Sequence, residues 1–163
     1  MSDLGLVWID GASELLVDNF DLLPENGLRT AVIISLFSDA RAALDDVLPS
    51  LGESRRGWWG DQFGLVEGDR TGSKLWLLIR EKRTAQTLER AKRYAEESLA
   101  WMLQDSVASA VAVATSFAEV GQLTSSASTP NQYALVLAID ITRPDGTRES
   151  YRFATHWEAE RLR

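Results

Sequence analysis

Apolar positions change period along this chain, and the change marks out its elements. Over Thr84 to Leu103, the residues Leu88, Ala91, Ala95, Leu99 and Met102 recur at helical spacing, the stripe of a long amphipathic helix. Glu89 with Arg93 and Arg93 with Glu97 stand four apart on the outer face, where such pairs add roughly 0.2–0.5 kcal/mol each. Trp101 lies beside the stripe, with Tyr94 and Ser98 on the same flank. After Asp105 the period drops to two. Val107, Ser109, Val111, Val113, Thr115 and Phe117 share one face and Ala108, Ala110, Ala112 and Ala114 the other, the alternation of a strand. The small residues predict a closely packed neighbour on the alanine face. Tyr133 to Thr142 reads as a second strand, Pro144-Asp145-Gly146 as a tight turn, and Glu149 to Thr155 as a third strand ended by Trp157. In it Tyr151, Phe153 and Thr155 alternate with Ser150, Arg152, Ala154 and His156, so one face packs on the long helix. A sheet of three or so strands leaves an open edge, and Arg152 sits on the strand expected there.

The N-terminal half is less regular. Asp10-Gly11 between Leu4–Ile9 and Glu14–Val17 is a hairpin signal, and Leu22 to Gly27 breaks the chain. Leu28 to Phe37 fits either a helix or a strand, because Val32, Ile33 and Ile34 are β-branched. Its length, and Asn26 as a cap, favour helix. Asp39 to Glu53 is charged and loose, Glu67 to Ser73 is rich in turn residues, and Ser73 is placed to cap a short helix over Lys74 to Arg80. Gly121 to Asn131 reads as a mobile loop and Glu158 to Arg163 as a charged, flexible tail. The pattern predicts a single α+β domain over residues 1–163: a long amphipathic helix packed on a small, mostly antiparallel sheet, with an N-terminal hairpin.

Composition narrows the function. The 163 residues contain no cysteine and carry a net charge of −7. Disulfides and thiolate chemistry are excluded, and no nucleic-acid partner is expected. The start Met1-Ser2-Asp3-Leu4 is not a secretory signal, and no run is long and apolar enough to span a membrane. The expected place is the cytoplasm, or outside it only as part of a larger assembly.

The most informative stretch is Arg55-Arg56-Gly57-Trp58-Trp59-Gly60-Asp61. Paired indoles need something flat to bury against, and glycines permit close approach. One reading is a core-capping turn in which Arg55 or Arg56 pairs with Asp61, with one tryptophan in the core and the other accessible. The other is a docking surface, since tryptophan and arginine dominate protein interfaces. The stretch is not a phosphate loop. His156, the only histidine, reads as a strand-end residue. Asp45-Asp46 and Glu67 with Asp69 lack metal-ligand spacing and read as solvated, so no cofactor or metal is expected. Among enzymes, the best reading is a glycoside hydrolase using two of Asp61, Glu67, Asp69 and Glu81 beside sugar-stacking tryptophans. Any acidic protein offers such pairs.

Several blocks together carry a family resemblance. Thr30 to Asp39, the Arg-Arg-Gly-Trp-Trp-Gly-Asp stretch, Gly72 to Lys82 and Ala91 to Trp101 occur in order. In combination the chain resembles the Mu-like phage baseplate wedge family, the gene-product forty-six family, over about Leu4 to Val107. More distantly it is similar to the lysozyme-like small wedge protein of contractile tails. That family's Glu-Pro-Arg signature after the long helix is absent, and Trp101 to Asp105 stands in its place. The resemblance implies an α+β fold without enzymatic activity. It also implies a structural role in a phage, prophage or tail-like particle, joining wedge proteins and supporting the start of the sheath. The implied partners are other baseplate wedge proteins and the tail sheath, with six copies per baseplate. The implied location is the host cytoplasm during assembly and then the virion tail. Arg55, Arg56, Trp58, Trp59, Asp61, Trp101 and Arg152 are the candidate protein-interaction residues. The alternatives are a carbohydrate-binding or glycoside-hydrolysing lysozyme-like domain, and a bacterial protein-binding adaptor.

Overall fold

The computed structural model describes residues 3–9, 12–18, 21–22, 24–25, 27–64, 70–119 and 133–157. The Asp10-Gly11 turn, Asn26, Glu67, Asp69, the Gly121–Asn131 loop, the 158–163 tail and the His156 side chain lie outside them. The fold is α+β. Six short strands, β1 (Asp3–Leu4), β2 (Leu6–Ile9), β3 (Ala12–Leu15), β4 (Val17–Asp18), β5 (Asp21–Leu22) and β6 (Pro24–Glu25), precede helix α1 (Arg29–Phe37). The 20-residue helix α2 (Ala85–Gln104) is followed by β7 (Ala110–Glu119), β8 (Tyr133–Thr142) and β9 (Arg148–Trp157). The last three form an antiparallel sheet in the order β7-β8-β9.

The N-terminal hairpin is present as β2 paired with β3, Leu6 opposite Leu15 through Ile9 opposite Ala12. The stretch read as a plain break instead pairs twice, β4 with β5 and β1 with β6. Leu28 to Phe37 resolves to helix, but Leu28 occupies the cap position and no side chain of the local sequence caps it. The Leu28 amide donates instead to Glu149 Oε2 at 3.2 Å and to Tyr151 Oη at 3.1 Å, both on β9. Thr30 fastens the other side of this turn, donating to Leu4 O at 2.7 Å.

Helix α2 follows its pattern closely. Thr84 caps it by accepting from Thr87 N at 3.1 Å, and Ala91, Ala95, Leu99 and Met102 are buried. On the solvent face Arg93 pairs with Glu97 at 3.7 Å and Lys92 with Glu96 at 3.9 Å. The buried stripe lies along β7, where Thr115 Oγ1 also donates to Leu88 O at 3.1 Å. Central strand β8 contributes Leu135, Leu137, Ile139 and Ile141, all essentially inaccessible. Each such side chain contributes about 1.5–3 kcal/mol by burial. The β9 face behaves as its alternation predicts, with Phe153 buried and Arg152 exposed. Its aromatic partner, however, is on α1: the Phe37 and Phe153 rings meet edge-on at 5.5 Å. The alanine face of β7 departs from expectation. Ala110, Ala112 and Ala114 are exposed, and among the described residues nothing packs closely over them.

The turn between β8 and β9 is a type I turn closed by a glycine bulge. Gly146 N donates to Arg143 O and Arg143 N to Thr147 O at 2.9 and 2.8 Å, and Gly146 has φ +87°, a left-handed angle that favours glycine. The short Lys74–Arg80 helix shrinks to a 3-10 turn, Leu75–Leu78. Ser73 does serve its start: its hydroxyl accepts from Leu75 N at 3.2 Å and donates to Leu36 O at 2.5 Å.

Candidate interaction site

The segment 39–64 has little regular structure, so side chains hold it in place. Arg56 is the central fastener. Its guanidinium donates to Asp39 at 2.9 Å and to Glu53 at 2.6 Å, and lies 4.4 Å above the Trp76 ring. Burial works against the Arg56 charge, but the bonds to Glu53 and Asp39 outweigh it and raise its pKa. The residue takes a left-handed φ of +47° to reach these partners, a strained angle for a side-chain-bearing residue. Arg55 points the other way and clamps the carbonyls of Ala43 and Leu44. Neither arginine pairs with Asp61, contrary to the core-capping reading. Asp61 Oδ1 accepts from Thr71 N at 3.0 Å, and its Oδ2 is buried without a hydrogen-bond partner among the described residues.

The carboxylates near this segment are fasteners too. Asp46 was read as solvated with Asp45, but it bonds Lys74 Nζ and Ala43 N, each at 2.7 Å. Burial disfavours its charge, yet these bonds hold its carboxyl below the usual range. Glu81 is bound to Arg90. Among the described residues no three His, Cys, Asp or Glu side chains gather to hold a metal ion, and no helix is long and apolar enough to cross a membrane.

The fastened loop presents aromatics outward. Trp58, Trp59 and Phe63 are 47, 70 and 74% exposed. Trp59 bridges the other two, with ring centroids 5.7 Å from Trp58 and 6.1 Å from Phe63. The expected division, one tryptophan in the core and one outside, does not occur. The core indole of this region is Trp76, 6% exposed, which donates from Nε1 to Ala40 O at 2.9 Å. Gly60, in the 3-10 turn Trp59–Gln62, is buried beneath the Trp58 ring. Leu44, Val47 and Leu51 on the preceding loop are also exposed. They are the apolar exception in 39–53, a stretch expected to be charged and loose. Three large aliphatics in a loop with no partner stripe were the available signal, and Phe63, four residues after Trp59, was another.

Trp101 belongs to a separate feature. It lines an open groove of about 290 Å³ with Ile34, Ser98, Arg70, Thr71 and Gly72 among others. Its indole N–H is taken by Ser35 Oγ at 3.0 Å. The Asp61–Thr71 bond joins this groove to the aromatic knob. Arg152 is not among the groove's lining residues and lies on edge strand β9 opposite Ala138.

Comparison with known proteins identifies the family. A family profile described as phage protein GP46 matches residues 28–148. This chain belongs to the GP46 family. The match runs from the start of α1 to the first residue of β9, so the aromatic knob, the arginine fasteners and the groove all lie inside it. The baseplate protein gp46 of Escherichia phage Mu is 43% identical over 154 residues, spanning 94% of this chain and 95% of that protein. The Mu-like prophage FluMu protein gp46 of Haemophilus influenzae is 38% identical over 157 residues, 96% of this chain and 98% of that protein. The GP46 assignment therefore extends beyond the profile match to nearly the full length of both proteins.

Proposed function

We propose that this chain is a structural, non-enzymatic subunit of a contractile-tail baseplate wedge. It acts as one domain over residues 1–163 and joins wedge proteins to one another. It is assembled in the host cytoplasm, in six copies per particle, and ends in the tail baseplate, where it supports the start of the sheath. The observation that carries this reading is the exposed knob of Trp58, Trp59 and Phe63 on a loop pinned by Arg55 and Arg56, in a chain related to a named baseplate protein. Large exposed aromatics on a rigid frame lose little freedom on binding and make strong anchors. The sheath contact is assigned to the β9 edge. The Arg143–Thr147 bond sets the alternation of the hairpin, by which the Arg152 amide faces away from β8 and is open to an added strand.

The carbohydrate reading is weaker on the same geometry. The Trp58 and Trp59 rings are tilted by 46°. Asp61 uses one oxygen on Thr71 and buries the other, and Glu81 is held by Arg90. Neither of these two carboxylates is left to act as acid or nucleophile at the rings.

The test is reconstitution of baseplate subcomplexes from the other tail proteins with purified chain. Trp58→Ala/Trp59→Ala should fold normally and fail to incorporate. Arg152→Pro should incorporate yet fail to nucleate sheath. Incorporation of the double variant at the wild-type level would rule out the knob as the docking element. A peptidoglycan zymogram cleared by the wild-type chain, and not by Asp61→Asn, would overturn the non-enzymatic role.

A further inference from the structure

The segments that carry the proposed docking surface expose an apolar knob and charges that are almost all basic, on a chain whose net charge is −7. Across 39–64 and 70–83 the exposed charged side chains are Arg41, Arg70, Arg80, Lys82 and Arg83, against Asp45 alone. The other acids of these segments are engaged by fixed partners: Asp39 and Glu53 hold Arg56, Asp46 holds Lys74, Asp61 holds the Thr71 amide and Glu81 holds Arg90.

Three of the exposed cations stand on or next to the segments that carry the exposed apolar side chains. A Cβ added at Gly57 would lie 2.9 Å from Arg41 Cβ, so Arg41 packs against the glycine that precedes Trp58 in sequence. Arg70 precedes Thr71, whose amide is bonded to Asp61 in the turn beneath the aromatic rings. Arg80 Nη1 donates to Ser50 Oγ at 2.8 Å, between exposed Val47 and Leu51 in sequence.

We propose that the segment seated on this surface is acidic: an apolar ridge of another baseplate subunit, flanked by Asp and Glu side chains that meet Arg41, Arg70 and Arg80. The inference rests on the baseplate reading above and adds the chemistry of the partner. A uniform rim charge does little for an apolar contact itself. It selects partners of opposite sign, raises their encounter rate and repels others. A second copy of this chain is a poor occupant, because a two-fold pairing of this surface would set its basic rim against itself. An anionic lipid surface has the right sign, but a loop fixed in shape by Arg55 and Arg56 suits a solid, complementary surface better than a fluid one.

The experiment uses the full chain and the baseplate subcomplex assembled without it, with association followed by biolayer interferometry in 50 and 500 mM NaCl. The expected result is an association rate that falls about tenfold or more at high salt. Arg41→Glu/Arg70→Glu/Arg80→Glu should lose a similar factor at low salt while keeping the wild-type melting curve. Trp58→Ala should instead speed dissociation at either salt. Binding by the wild type with no response to salt or to charge reversal overturns the acidic partner and leaves the docking site standing. Loss of salt response without loss of folding in the triple variant locates the charge effect on these three arginines. No binding by the wild type sinks the baseplate reading and this inference together. Co-sedimentation of the wild type, but not the triple variant, with phosphatidylglycerol vesicles would assign the rim to lipid and overturn the proposal. The salt measurement needs no variant, so a misfolded triple mutant does not spare the proposal from test.

Discussion

The Trp58 ring closes over Gly60, leaving no room for a side chain there. A Cβ at Gly60 would sit 2.6 Å from Trp58 Cζ2 and closer still to Cη2 and Cζ3. The obstacle is the far end of a half-exposed ring rather than backbone, so the ring can swing away. Gly60→Ala should therefore lower stability by about 1 kcal/mol or less and shift the tryptophan emission. It should also weaken incorporation into baseplate subcomplexes. An unfolded variant, or one that incorporates normally with an altered emission spectrum, would contradict this account of the knob.

Trp76 and Trp59 have opposite tasks. Trp76 lies under the Arg56 guanidinium with its N–H on Ala40 O, whereas Trp59 is mostly in solvent. Trp76→Ala should cost about 3–5 kcal/mol, and Trp59→Ala should stay within about 0.5 kcal/mol of the wild type. Urea melts of both variants decide the matter, and similar midpoints would refute the division.

The elements that were legible in the sequence are those written in local spacing. Helix α2 shows its stripe, the β8–β9 turn shows Pro-Asp-Gly, and β7 and β9 show alternation. What was not legible depends on partners far along the chain. Trp76 finds Ala40 across 36 positions and Arg56 finds Asp39 across 17. Pairing Arg55 or Arg56 with nearby Asp61 is the natural local expectation, and it fails because Arg55 is taken by the Ala43 and Leu44 carbonyls and Arg56 by Asp39 and Glu53. The two tryptophans of the knob stand out by composition alone, whereas Phe63 does not. Whether they faced inward depended on which indole filled the core, and no local period encodes that. The alanine face of β7 misled for the same reason, since small side chains permit a close neighbour without requiring one.

The Glu149 carboxyl should make stability acid-sensitive. Burial opposes its charge, but the bonds from Tyr151, the Leu28 amide and Arg143 prevail and hold it below its ordinary value of 4.5. The unfolded chain thus takes up this proton at higher pH than the folded one. The stabilisation is complete above the unfolded-state value and is lost as pH falls through the folded-state value. Asp46 acts in the same direction. Glu149→Gln should cost about 1–3 kcal/mol at neutral pH and flatten the decline in melting temperature below about pH 5. A decline as steep as that of the wild type would show that Glu149 does not carry it.

A helix that starts at residue 29 but is capped from β9 has a consequence for synthesis. The Leu28 amide meets Glu149 across 121 positions, so the first turn of α1 stays open until nearly the whole polypeptide has left the ribosome. A chain stopped at Gly146 would contain the aromatic knob and all of α2, yet lack both acceptors for that amide and the Phe153 ring against Phe37. Such a product should be cut rapidly within α1 in a pulse of protease, where the complete chain resists.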